Sequence, residues 1–333
     1  MEGFIDTLNG VIWSNALVYL CLGAGAYFTL ATLFLQIRCL PDMIRQLKSG
    51  ESSEQGISSF QSLMISLAGR VGVGNIAGVA TAIAFGGPGA VFWMWLVALL
   101  GSATSFIECC LAQIYKETDR DTGEYRGGPA YYIEKTYKHT KAAPFMLVYA
   151  IIFAVCMLLA TSYFLPGIQA NGVAAAVDNA WGINIWVSAT IMTVLLAFII
   201  IGGVKRIANF ASMVVPFMAG IYIIIAIVVL FANASQIPEV FGTIVRAAFD
   251  KEAAFSGMLG AAIMWGVKRG IYSNEAGQGT GPQSAAAAEV SHPAKQGFVQ
   301  AFAVYIDTLF VCSATAFIII STDMYKVFEG QSE

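Results

Sequence analysis

Residues 70–78 read Arg70-Val71-Gly72-Val73-Gly74-Asn75-Ile76-Ala77-Gly78, and residues 265–282 read Trp265-Gly266-Val267-Lys268-Arg269-Gly270-Ile271-Tyr272-Ser273-Asn274-Glu275-Ala276-Gly277-Gln278-Gly279-Thr280-Gly281-Pro282. Each stretch interrupts a run of apolar residues with glycine, charge and amide side chains. The glycines of the first resemble a dinucleotide fingerprint, but that motif must follow a strand and open a helix. Here it lies at the head of 37 consecutive uncharged residues, Val71 to Ile107, which is the wrong setting. Glycines that let helices pack closely are one explanation. A helix broken at membrane depth is the sharper one. Glycine permits the backbone angles of an unwound turn, and freed N–H and C=O groups persist in a membrane only where they line a cavity or bind something. N–H groups at a half-helix N-terminus suit a carboxylate, and free carbonyls suit a cation. The second stretch also reads as a solvated loop, since five glycines and a proline are loop residues; against this, the apolar run Ala285 to Ala288 follows at once.

Composition sets this reading in a membrane. Of 333 residues, 57% are hydrophobic and 12% charged, mean hydropathy is +0.70, and a soluble domain carries about 25% charged residues. The net charge of −3 argues against nucleic-acid binding. Two His, and six Cys in or beside apolar stretches, offer neither a zinc spacing nor a disulfide framework. Glu2 and Asp6 give the N-terminus the wrong charge for a signal peptide. A spanning helix needs about 20 apolar residues, and segments near 11–37, 57–85, 89–115, 144–165, 183–203, 208–232, 255–288 and 297–320 qualify. With the N-terminus outside, twelve of the 18 Lys and Arg fall in inner loops, at 38–56, 116–143, 204–207 and Lys295, and three fall outside. Cytoplasmic loops carry the basic residues, so this orientation is expected. The broken segments then run in opposite directions with five crossings between their starts. Paired, glycine-interrupted helices of this kind point to the binding site of an inverted-repeat transporter.

Three stretches carry a family resemblance: Ser66 to Trp95 (SLAGRVGVGNIAGVATAIAFGGPGAVFWMW), Tyr125 to Tyr132 (YRGGPAYY) and Arg269 to Ala288 (RGIYSNEAGQGTGPQSAAAA). Over essentially its whole length the chain resembles the alanine or glycine:cation symporters of the amino acid–polyamine–cation superfamily. The resemblance implies an all-α membrane protein with a leucine-transporter-like inverted five-helix repeat and one extra N-terminal helix. In that scheme residues 1–56 hold the extra helix and a cytoplasmic loop, 57–232 the first repeat, and 233–333 the start of the second. Family members continue with about three further helices, so the second repeat is expected to be incomplete, with about eight spans here and the remaining Na⁺ ligands in absent helices. A non-transporting fragment or assembly subunit is the alternative this raises.

The implied function is symport of a small neutral amino acid, alanine or glycine, with Na⁺ or sometimes H⁺, in a prokaryotic cytoplasmic membrane, with no other cofactor. By resemblance, Val73, Gly74, Asn75, Ile76 and Gly78 contribute to the substrate site from the first broken helix. Ser273, Asn274, Glu275, Gly277 and Gln278 face them, and Phe164 and Gln169 line the pocket. Ala68, Val71 and Asn75 are the implied cation residues, and Arg70 belongs to the inner gate. Val73 stands where many members have Thr, which removes a hydroxyl contact. Glu275 is expected to brace the unwound turn, because an unpaired anion repels a carboxylate. Glu108 and Asp307 are charges in apolar surroundings and read as functional candidates; Asp307 either helps hold a cation or pairs with Lys268 or Arg269. A channel fits two broken helices less well than alternating access does, and no nucleophile–base pair suggests an enzyme.

Overall fold

Nearly every apolar run is helical, because a backbone with no water to bond must satisfy its polar groups internally. The computed structural model describes residues 12–47, 53, 55–249 and 258–322, together with positions 3, 7 and 10. The basic residues Lys48, Lys251 and Lys326 lie outside the described residues.

Helix α1 (Asn15–Ala31) leads through a tight turn at Leu33 and Phe34 into the short α2 (Leu35–Arg38) and α3 (Leu40–Gln46). Next comes α4 (Ser59–Arg70), which starts on a capping box in which Ser58 and Gln61 each satisfy the other's backbone N–H. It ends at Arg70, and α5 (Val73–Gly86) resumes after a 42° bend. The first break is thus confined to Val71 and Gly72.

The central post is α6 (Gly89–Tyr115). Beyond it a two-stranded hairpin, β1 (Glu117–Thr118) and β2 (Tyr125–Arg126), precedes α7 (Pro129–Tyr137). The expected 116–143 loop is therefore mostly ordered structure.

Helix α8 (Ala143–Leu159) runs through a π-helical turn at Ala160–Phe164 into α9 (Leu165–Trp181), making one unbroken helical stretch of 39 residues. Pro166 removes an N–H from the ladder there, and a widened π turn is one way a helix absorbs such an interruption. The expected segment at 144–165 ends too early, since proline at a first-turn position does not stop the continuing helix.

Helices α10 (Ile185–Ile200) and α11 (Gly203–Ala232) are nearly contiguous. Residues 204–207, expected as a loop, form the first turn of α11, with Lys205 and Arg206 upon it. Helix α12 (Ile237–Ala248), unforeseen, is a short amphipathic helix burying Val240 and Ile244 in a core shared with α5 and α6. Helix α13 (Met258–Asn274) carries Lys268 and Arg269 within regular helix. The loop reading of 265–282 thus survives only for residues 275–279, between α13 and α14 (Thr280–Ala286). Finally α15 (Pro293–Val304), a π-helical stretch Tyr305–Cys312 and α16 (Ser313–Ser321) form one rod.

Among the described residues, Gly89–Tyr115, Ala143–Trp181, Gly203–Ala232 and Pro293–Ser321 are each long and apolar enough to cross a membrane. The bent pair Ser59–Arg70 and Val73–Gly86 makes a fifth such span, while α1 and α10 are apolar but shorter. Only 6% of the apolar window of Ala143–Trp181 and 11% of that of Gly203–Ala232 are buried within the chain. Faces that apolar demand a non-aqueous surrounding, so this is a multi-pass α-helical membrane protein. The buried interior instead gathers where α5, α6, α13 and the α15–α16 rod meet. Gly266 is what lets α13 approach α6, because a Cβ there would lie 2.4 Å from the Ala90 carbonyl oxygen.

Candidate functional site

The two breaks lie against each other. A Cβ on Gly74, in the first turn of α5, would meet Tyr272 at 3.2 Å and the Ser273 Cα at 3.7 Å, at the end of α13. The opening N–H groups of a helix have no acceptor within it, and side chains meet two of them here. Gly72 N–H donates to Asn75 Oδ1 at 2.8 Å, and Val73 N–H donates to Gln169 Oε1 at 2.9 Å.

The second break owes its shape to Glu275, Gly277 and Gly279, with φ of 54°, 85° and 89°. Glycine adopts such angles at little cost; Glu275 is held there by its neighbours. Its N–H donates to the Ile271 carbonyl, and its Oε2 accepts the Thr280 hydroxyl at 2.5 Å. Around it, Ala276 N–H donates to Asn274 Oδ1, Gln278 Nε2 donates to the Ile271 carbonyl, and Gly277 N–H donates to Glu108 Oε1 at 3.2 Å. Glu108, a functional candidate by its apolar surroundings, thus braces the turn from α6.

Behind the breaks is a buried polar knot. Asn75 Nδ2 donates to Asp307 Oδ1 at 2.6 Å and to Ser273 Oγ at 3.0 Å. Ser273 and Thr308 hydroxyls both donate to Asp307 Oδ2 at 2.8 Å. Asn75, Asp307 and Thr308 are wholly buried. Asp307 therefore does not pair with Lys268 or Arg269. Those cations lie instead over aromatic rings, Lys268 over Trp13 and Trp265 and Arg269 over Trp265. The Asp307 carboxylate, met by hydroxyl and amide donors, offers the oxygen chemistry a small cation takes.

Two cavities flank the breaks. One, of about 620 Å³, is lined by Ala68, Arg70, Gly74, Gln169, Tyr272 and Glu275 among others. The other, of about 1080 Å³, reaches Phe164, Asn274, Gly277 and Gln278. Leu165 and Tyr272 line both. The expected substrate residues therefore divide. Gly74, Gln169 and Glu275 face the first cavity, Phe164, Asn274, Gly277 and Gln278 the second, and Asn75 with Ser273 the knot. Val73 packs toward Gly172, Gly78 is buried in α5, and Ile76 is 54% exposed; none of the three lines either cavity. Of the expected cation residues, Ala68 is at the first cavity and Asn75 in the knot. Val71 is partly buried and donates its N–H to Leu67. Tyr272, Glu108 and the partners of Asp307 were not foreseen as a group, since they come from helices far apart in sequence.

The Tyr125–Tyr132 stretch serves packing. A Cβ on Gly127 would lie 2.8 Å from the Ala286 side chain, so the hairpin seats against α14. Ile57 bridges to the same place, its N–H donating to Ala287 and its carbonyl accepting from Glu289. Ser62 and Ser66 of α4 both hydrogen-bond to Ser284. The α4 and α14 halves of the two broken helices are thereby stitched together.

The chain is similar to YrbD of Bacillus subtilis (strain 168), 57% identical over 326 residues that cover 98% of this chain and 66% of YrbD. It is 46% identical to the Probable sodium/glutamine symporter GlnT of the same organism, over 98% of this chain and 66% of that protein. A Sodium/proton-dependent alanine carrier protein from Bacillus sp. (strain PS3) is 48% identical over 87% of this chain and 63% of its own length. The chain thus spans about two thirds of the length of the curated relatives it matches. The profile of the sodium:alanine symporter family matches residues 1–333, and the chain belongs to that family.

Proposed function

We propose that this chain forms the substrate- and cation-binding core of a secondary symporter that moves a small neutral amino acid, alanine or glycine, together with Na⁺ by alternating access. The observation that carries the reading is the contact of two broken helices at Gly74 and Tyr272, with a cavity on either side. A transporter of this type keeps its site fixed at such a break while the flanking halves alternate in exposing it. In this reading the substrate's carboxylate approaches the first turn of α5, where Gln169 now accepts the Val73 N–H. The cation takes the knot around Asp307 and Asn75, with Ala68 and Val71 on the same broken helix. Relatives bearing sodium, proton, alanine and glutamine in their names support the class of cargo and leave its side chain to experiment.

The broken pairs α4–α5 and α13–α14 are then the leading members of two inverted repeats, 57–232 and 233 onward, with α1 outside the scheme. The Lys and Arg distribution supports an N-terminus outside and a hairpin on the cytoplasmic side of a prokaryotic membrane.

The test is labelled-alanine binding to the purified protein, and uptake into proteoliposomes, with Na⁺ and with K⁺ in its place. Glycine and glutamine serve as competitors. Na⁺-dependent binding and gradient-driven accumulation are expected. Binding indifferent to Na⁺, or single-channel currents in place of accumulation, overturns the proposal.

A further inference from the structure

The 620 Å³ cavity extends from Gly74 and Gln169 toward α4 and α14, the end that the proposed topology turns inward, and two charged residues lie there. Arg70 and Glu275 both line it, at 2% and 8% exposure. Buried opposite charges ordinarily close on each other, because a desolvated charge without a partner is costly. These two do not. Among the described residues the ion pairs within 4.0 Å are Arg45–Asp42, Arg126–Asp119 and Lys135–Glu117. Arg70 is held by one hydrogen bond, from Nη1 to the Gln300 carbonyl at 3.4 Å, while its Nε and Nη2 find no partner. Gly281 makes room for the guanidinium, since a Cβ there would lie 2.8 Å from Nη2. Glu275 is fixed by its left-handed backbone and by Thr280, with its Oε2 3.8 Å from where a Cβ on Gly69 would lie. The neighbouring carboxylate, Glu108, is turned to the Gly277 N–H and lines the other cavity. The Tyr272 hydroxyl, a second buried group without a partner, belongs to the same wall.

A cavity with a donor-rich cation and a carboxylate set apart and unpaired is complementary to a molecule carrying both charges. We propose that the inner end of this cavity is a second amino-acid subsite, in which Arg70 takes the carboxylate and Glu275 the ammonium group of the zwitterion. The inference rests on the reading that the helix breaks bind an amino acid. A guanidinium binds a carboxylate through paired N–H donors, so the ligand would satisfy the two orphaned nitrogens together. It would also resolve the objection that Glu275 repels substrate, since the carboxylate goes to Arg70. An amino acid leaving Gly74 and Gln169 toward the cytoplasm meets this pair next. Ligands with one charge leave the other group unmatched, so the subsite favours zwitterions over carboxylates or amines of equal size.

The experiment places a reporter at Ser284, which lines the inner end of the cavity. Ser284→Cys in an otherwise cysteine-free protein is reacted with a small thiol reagent in the presence of alanine, propionate or ethylamine, and labelled-alanine binding is measured in parallel. Alanine is expected to slow the reaction at concentrations where propionate and ethylamine do not. Arg70→Gln should raise the protective alanine concentration about tenfold or more, as for loss of a charged hydrogen bond, and shift preference toward ethylamine. Glu275→Gln should raise it similarly and shift preference toward propionate. Equal protection by all three ligands, or charge variants that weaken all three alike, overturns the subsite. So does alanine binding that leaves Cys at 284 unprotected, an outcome under which the symporter reading still stands. No alanine binding at all removes both. If either charge variant fails to fold, the ligand series on Ser284→Cys decides alone.

Discussion

Replacing Asp307 with Asn removes a charge and almost nothing of the shape around it. In the native chain Oδ1 accepts from Asn75 at 2.6 Å, and Oδ2 accepts from Ser273 and Thr308 at 2.8 Å. In the variant the amide oxygen keeps Asn75, and the NH₂ group faces two hydroxyls, each able to accept as well as donate. Three hydrogen bonds can therefore persist. The loss to folding should stay within about 2 kcal/mol, roughly the difference between charged and neutral hydrogen bonds. A bound cation loses more. Two unit charges 4 Å apart interact by about 4 kcal/mol at an effective dielectric constant of 20, and at 1.4 kcal/mol per decade that is nearly three decades in affinity. Sodium titrations of alanine binding, and of the thermal melt, measure both quantities on one preparation. Half-saturation by Na⁺ should rise by about two to three orders of magnitude with only a modest fall in melting temperature. A parental sodium dependence in a folded Asp307→Asn protein would refute the placement of the cation. A lower melting point with no change in sodium response would make the knot a structural element only.

Three other outcomes are expected. In a cysteine-free background, Lys138→Cys should resist an impermeant thiol reagent added outside intact cells and react once the membrane is opened; reaction from outside reverses the topology. Gly266→Ala should lower the melting temperature by the equivalent of about 1–3 kcal/mol, because the new Cβ meets the Ala90 carbonyl oxygen at 2.4 Å and Trp93 Cβ at 2.6 Å; an unchanged melt denies the close approach of α13 to α6. In the hairpin, backbone N–H groups of Asp121 and Thr122, with Arg126 nearby, hold the Asp119 carboxylate below its ordinary range. A lowered pKa stabilises the fold above the unfolded value and is lost as pH falls through the folded one. Amide protection at 117–126 should thus fall below about pH 4, and Asp119→Asn should weaken that dependence, leaving the part carried by Glu117, which Lys135 likewise holds below its ordinary range.

Helix α6 emerged at the residues its apolar run predicts, 89–115, because a single long uninterrupted run leaves no choice of boundary. The positions of both breaks were legible too, since glycine clusters in apolar surroundings have few other uses. Their extent was not. Glycine and charge mark 265–274 as irregular, yet α13 stays helical there because α6 and the Trp13 and Trp265 rings receive Gly266, Gly270, Lys268 and Arg269. Helix α12 escaped notice because twelve amphipathic residues satisfy no spanning criterion.

The membrane setting, the helical class and the two broken segments are legible in the amino-acid order alone, because they follow from local composition and from what a backbone tolerates without water. Which polar groups meet was decided only by tertiary structure. Asp307 shows this best: sequence offered Lys268 and Arg269 as partners by charge alone, and folding assigned it Asn75, Ser273 and Thr308. Arg70 and Glu275 are likewise far apart in the chain, and only the packing of α4 against α14 places them on one cavity wall without pairing them. Long-range complementarity depends on helix rotation and register, and a one-dimensional pattern of polarity leaves both undetermined.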